Sequence, residues 1–201
     1  MAKKRSITTK TGNNMASTIT FTPKDNLKQI FDKVHRVYYF PDSSKSFSEQ
    51  VDGIEFPVLE DGVTFDTGEP EKNEVKLTDG TTWTSKVSQG ESDITFQVSS
   101  VHSTINDLLM EKKTSASISS VEFEGFTYSG SGYSLAPKKI SGALLMVSSD
   151  FKSGVYLPNV EIFASFNGEG GDDSTGYYNV SVTPLTDANG AAFYLLGGTK
   201  V

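Results

Sequence analysis

Residues 93–113 read DITFQVSSVHSTINDLLMEKK, and the periodicity changes partway along. Ile94, Phe96 and Val98 alternate with Thr95, Gln97 and Ser99, the period-two pattern of a strand with one buried face. Val101, Ile105, Leu108 and Leu109 then fall on one stripe of a helix, with Ser99 or Ser100 as its N-cap and Glu111, Lys112 and Lys113 at its end. A strand that runs straight into an amphipathic helix needs a β core for the helix to lie across. This unit therefore sets the architecture, and it holds no chemistry.

The rest of the chain supplies such a core. SISSVEFEGFTYSG, ISGALLMVSSDF, VYLPNVEIFASF and YYNVSVTPLTDANGAAFYLL are short strand-like runs. SSDFKSG and NGEGGDDSTG separate two pairs of them as turn-rich connections. The expected fold class is mainly β: two packed antiparallel sheets, a sandwich or barrel, flanked by an α-helix, with an N-terminal arm and a long exposed loop. A length of 201 residues suits one core, with an arm over 1–20 and a domain over 21–201.

Near the start, Thr22, Pro23 and Asp25 form a helix N-terminus ahead of Leu27, Ile30, Phe31 and Val34, which predicts a short amphipathic helix. HRVYYF either continues it or becomes a strand before Pro41. Residues 60–76, EDGVTFDTGEPEKNEVK, set six acids against two lysines and predict a long acidic connection. VKLTDGTTW predicts a hairpin closed at Asp79-Gly80, with Leu77 opposite Thr82 and Lys76 opposite Trp83. That register puts apolar residues on both faces, so either both become covered or the loop is longer than two residues.

The net charge of −7 is unevenly distributed. Lys3, Lys4, Arg5, Lys10 and Lys24 lie in the first 24 residues, which hold no acid; the remainder carries 13 basic against 25 acidic residues, a balance of −12. An acidic body repels phosphate and does not suit a nucleic-acid grip, but it suits a surface that nucleic acid slides past. The chain has no cysteine, which excludes disulfides, thiolate metal sites and cysteine nucleophiles. No apolar run approaches the ~20 residues of a membrane helix. The basic start lacks the apolar region of a secretory signal, so a cytoplasmic site of synthesis is expected.

Motifs for catalysis or cofactors are missing. His35 and His102 lie far apart on helix-like segments. GGTKV lacks the spacing of a phosphate loop, and GYSLA around Ser134 lacks the final glycine of a nucleophile elbow. NGEGGDD at 167–173 offers oxygen ligands in no calcium-loop spacing and reads as a solvated turn. Asn179-Val180-Ser181 has the form of a glycosylation sequon but sits in a strand. The expectation is a non-enzyme without cofactor or metal. Glu122 and Glu124, at i and i+2, are read as two carboxylates on one strand face, either solvated or lining something.

The order of elements, with DITFQVSSVHSTINDLL and the late VSVTPLTDANGAAFYLL as its most telling parts, resembles the major tail tube proteins of long-tailed bacteriophages over residues 21–201. The resemblance implies subunits that form hexameric rings stacked into a hollow tube, with their sheets joined into a continuous inner barrel through which the genome passes. It implies self-association, contacts with other tail proteins (tape measure, tail terminator, baseplate or tip), DNA only in transit, no membrane, and a place in the virion tail after assembly in the host cytoplasm. Within it, Glu122 and Glu124 become candidates for the lumen wall. Lys3, Lys4, Arg5 and Lys10 of the arm, and Glu69, Glu71 and Glu74 of the acidic stretch, become candidates for contacts between subunits. The competing expectation is a carbohydrate- or ligand-binding β-sandwich using Trp83, Tyr128, Tyr133, Tyr177 and Tyr178.

Overall fold

The computed structural model describes residues 33–59, 63–168 and 175–199, together with the backbone of 5–9 and 17–21. Fourteen strands and one α-helix follow in chain order. They are β1 (Arg5–Thr9), β2 (Ser17–Phe21), β3 (Val34–Phe40), β4 (Ile54–Phe56), β5 (Thr64–Asp66), β6 (Pro70–Lys76), β7 (Thr82–Gln89), β8 (Asp93–Val98), α1 (Ser103–Leu109), β9 (Glu111–Phe123), β10 (Phe126–Ser134), β11 (Ile140–Ser148), β12 (Ser153–Asn167), β13 (Tyr177–Leu185) and β14 (Tyr194–Gly197). The fold is mainly β, antiparallel and sandwich-like, with a single α-helix and one short 3-10 turn (Phe47–Glu49) among the described residues.

The two halves of the sandwich belong to one eight-stranded ladder, ordered β4-β3-β11-β12-β13-β8-β5, with β14 also on β12. The long strand β12 joins them. Along one edge, Ser153–Tyr156 pairs with β14 and Asn159–Asn167 pairs with β13. Between these stretches the β11–β12 register shifts, with Pro158 and Asn159 of β12 standing against Ala143 alone. A proline has no N–H for a ladder, and a bulge bends the strand that carries it. The segment after β4 then reaches β8. Val58 bridges Val98, Leu59 N–H donates to Gln97 O at 3.0 Å, and Ser99 N–H donates to Pro57 O at 2.9 Å.

One apolar cluster fills the interior between the halves, from Val37 and Tyr39 of β3 to Phe96 and Val98 of β8, Leu144 and Met146 of β11, Val155 and Ile162 of β12, and Tyr178 and Val180 of β13. The alternation in DITFQV places Ile94, Phe96 and Val98 inward as expected, and in YYNVSV Tyr178, Val180 and Val182 are buried, so Tyr178 is not an exposed ring. Helix α1 closes one end with Ile105 and Leu109 buried. No buried side-chain polar atom among the described residues lacks a hydrogen-bond partner.

Several local expectations change. The helix expected from Thr22 lies outside the described residues, apart from its end at Val34, which begins β3, so HRVYYF is a strand and His35 sits on it. Helix α1 is shorter than its stripe suggests. His102 caps it, with Nδ1 accepting from Thr104 N–H at 3.3 Å; Val101 stays exposed, and Glu111–Lys113 start β9 instead of ending the helix. Part of the arm is an antiparallel ladder of β1 with β2. Of the acidic stretch, residues 69–76 are exposed as expected, but Val63 and Phe65 pack against the core, and the stretch contains β5 and β6. Lys76 pairs with Thr82, so the loop runs over residues 77–81; Asp79 Oδ1 accepts from Thr81 N–H at 2.9 Å and from Thr81 Oγ1 at 2.6 Å. That Asp79–Thr81 capture widens the turn, and Trp83 bulges out of the ladder.

Candidate assembly surface: two exposed hairpins

Two hairpins, β6–β7 and β9–β10, are two-stranded sheets of their own, separate from the eight-stranded ladder. Not one residue of β6, β7, β9 or β10 is buried. A two-stranded ribbon with nothing behind it is marginal in water.

The tip of β9–β10 is built by sequence. Phe123 and Phe126 pair across a two-residue turn, Glu124-Gly125, with φ of 48° and 81°. Positive φ at both positions is the turn whose twist matches a hairpin, and glycine adopts it without strain. Directly opposed residues share a face, so Phe123, Phe126, Val121 and Tyr128 line one side, each between 52% and 67% exposed. Glu122 and Thr127 pair on the other side. The hairpin tip is amphipathic although neither side is covered.

Its root is clamped to α1. Asp107 accepts from Lys112 Nζ at 2.8 Å and from the Tyr133 hydroxyl at 2.5 Å. The Lys112 hydrogen bond, then that of Tyr133, holds the Asp107 carboxyl below the usual aspartate range, and the same carboxylate pushes the Tyr133 phenol up. Lys138 Nζ donates to the carbonyls of Asp107 and Leu108 at 2.7 and 2.9 Å, where a helix C-terminus favours a cation. Tyr178 of the core donates to Asn106 Oδ1 at 2.7 Å and ties the helix to β13.

Hairpin β6–β7 is joined differently. Gln89 Nε2 donates to the carbonyls of Thr67 and Gly68 at 2.6 and 2.7 Å, and Gly90 N–H donates to Glu69 O at 3.1 Å. Val75, Trp83 and Val87 are 58–71% exposed along it.

The candidate residues distribute as follows. Glu122 is in β9, but Glu124 is in the turn, so the two are not neighbours on one strand face; the positive φ of Glu124 takes it out of the ladder. Glu71 and Glu74 lie in β6 opposite Ser88 and Ser85, Glu69 just precedes that strand, and Lys72 forms an ion pair with Glu74 at 2.5 Å. Arg5 pairs with Phe21 in the β1–β2 ladder; Lys3, Lys4 and Lys10 lie outside the described residues. The five rings considered for glycan binding lie on three strands, Trp83 on β7, Tyr128 and Tyr133 on β10, and Tyr177 and Tyr178 on β13. Tyr178 is in the core, Tyr133 is bonded to Asp107, and Trp83 and Tyr128 lie on different hairpins. Among the described residues no group of three metal-ligating side chains converges, and no helix is long and apolar enough to cross a membrane. Most of the 167–173 turn lies outside the described residues.

Sequence reasoning missed the tip pair and the root clamp. The tip was signalled by EFEGFTY, apolar alternation on both sides of a glycine. The clamp had no signal, because Tyr133 and Lys138 meet Asp107 only through the fold. No protein-family model matches this chain, and no curated protein is similar to it at a significant level.

Proposed function

We propose that this chain is a structural subunit that copies one set of contacts around and along a pore, making stacked hexameric rings of the tail-tube kind found in long-tailed phages. The observation that carries the reading is the pair of two-stranded β ribbons, unburied and unpaired along their outer edges, beside a body with a core of its own. Ribbon edges expose unpaired N–H and C=O groups, and neighbours that add strand to strand satisfy them. A contact that does not close on itself gives an extended assembly.

Magnitudes limit what each part does. Covering three aromatic rings removes roughly a few hundred Å² of surface, short of the ~800 Å² per partner of a stable interface. The tip of β9–β10 is thus one portion of a larger contact, shared with β6–β7 and with the arm residues Lys3, Lys4, Arg5 and Lys10. Glu69, Glu71 and Glu74 offer that arm opposite charge. Each exposed pair contributes only ~0–1 kcal/mol, but the pairs repeat along a tube. With the aromatic face turned to a neighbour, Glu122 and the turn residue Glu124 are left facing the lumen, where negative charge keeps DNA from sticking.

The test is imaging. Purified protein at rising concentration, viewed by negative stain, is expected to form rings or hollow tubes. Particles that remain single at every concentration would refute the reading. Removing residues 2–10 is expected to shorten or abolish tubes while rings persist.

A further inference from the structure

We propose that the β9–β10 hairpin is a lever with a built-in hinge at Thr114–Ala116, about which its outer part turns while its root stays fixed to α1. The ladder is regular at the root, where Glu111, Lys112 and Lys113 pair with Ser134, Tyr133 and Gly132. The next pair is Ser117 with Ser131. Between these two pairs β9 advances four residues while β10 advances one, so Thr114–Ala116 have no counterpart.

Two further features mark this joint. The strands touch there through Gly132, where an added Cβ would sit 2.6 Å from Ala116 Cβ, so only glycine admits the approach. Rigidity also differs on the two sides. The root has the Asp107, Lys112, Tyr133 and Lys138 clamp. The outer segment has none of these ties, and every residue of it is exposed. An excess of residues on one strand bends it and interrupts pairing. Hinges are short stretches that absorb such changes between two rigid parts. The outer ladder from Ser117 to Ser131 is interrupted once more, where Ser119 and Ser120 (φ 73° at Ser120) stand against Ser129 alone, but that smaller step lies beyond the joint. The outer ladder carries the aromatic tip, which gives a ribbon that must meet a neighbour a range of angles.

The absence of cysteine makes paired spin labels direct. One label goes on the body at Thr183→Cys. The second goes on the outer ladder at Thr127→Cys or, in a separate sample, on the root at Glu111→Cys. Pulsed dipolar measurements on the free full chain are expected to give a broad or multiple distance for Thr127 and a narrow one for Glu111. A narrow distance for both overturns the hinge, and a broad one for both puts the motion at α1 and overturns it equally. Deleting Thr114–Ala116 makes Lys113 and Ser117 consecutive opposite Gly132 and Ser131. It is expected to narrow the Thr127 distance; persistent breadth overturns the assignment. Should that variant fail to fold, the two wild-type label pairs decide alone.

Discussion

Strands β8 and β9 carry the same kind of pattern and meet opposite fates. Ile94, Phe96 and Val98 alternate with polar residues and are at most 2% exposed. Val121 and Phe123 alternate with Glu122 and Glu124 and are 52% and 62% exposed. The difference lies in what stands opposite: β8 faces the other half of the sandwich and α1, whereas the apolar side of β9 and β10 is left uncovered by the described residues. Period-two alternation specifies a face that wants covering; it does not say whether the cover is in the same molecule.

The largest expected effect is on the covered side. Phe96, 1% exposed and in ring contact with Phe56 at 5.6 Å, sits where β8 meets the closing segment. Phe96→Ala should cost ~3–5 kcal/mol of unfolding free energy in a denaturant titration, the transfer term plus a cavity. A loss below ~1 kcal/mol would mean that the interior collapses freely around the site and would blur the contrast.

Next comes a polar site of the body. Ser148, fully buried at the β11–β12 turn, donates to Asp150 Oδ1 at 2.8 Å and receives Ser153 N–H at 3.3 Å. The Lys152 N–H and the Ser148 hydroxyl hold the Asp150 carboxyl down at about 2. Ser148→Ala should cost ~1–3 kcal/mol in the same titration, since buried partners are left unmade, and should move the Asp150 carboxyl, read by NMR, back toward the ordinary ~3.9.

How legible was this in the chain? The inward face of β8 was, because alternation beside turn residues leaves one choice of face; that of β13 was not read, and Tyr178, considered as an exposed ring, is buried in the core. The stripe of α1 was, at Ile105 and Leu109. Its ends were not. Glu111, Lys112 and Lys113 look like a helix terminus, yet they pair across β10 with Ser134, Tyr133 and Gly132, partners about twenty residues away. The same limit hid the separation of Glu122 from Glu124, since the turn between Phe123 and Phe126 consumes the second acid. Trp83 escaped its expected register because the Asp79–Thr81 capture lengthens the loop. Local pattern decides which residues seek cover; long-range pairing decides which find it.

The hairpin root lies between the two regimes and sharpens the comparison. The folded value of Asp107 is depressed by Lys112 and Tyr133, so its contribution is present above the ordinary aspartate value and lost as pH falls through the depressed one. Titrated by NMR, the Tyr133 ring signals should hold steady from neutral pH and shift only in acid, while core signals from Phe96 stay put. In Asp107→Asn the acid shift should vanish. A Tyr133 signal that follows pH unchanged in that variant would show that the clamp is not what fixes the root.

The smallest effect on the free chain is expected at the tip. Phe123→Ser with Phe126→Ser removes two rings that touch no core, so the denaturation midpoint should change by no more than about 0.5 kcal/mol equivalent. On the proposed assembly, the same double variant should lose rings and tubes under negative stain at concentrations where the wild type would form them, because the apolar face offered to a neighbour is gone. Its two outcomes separate cleanly. A large loss of stability would mean that the tip is covered within the free chain, and β9 would then belong with β8. Unchanged stability with unchanged assembly would mean that the aromatic face is ornament, and that the edges of the ribbons, not their faces, carry whatever contact the chain makes with itself.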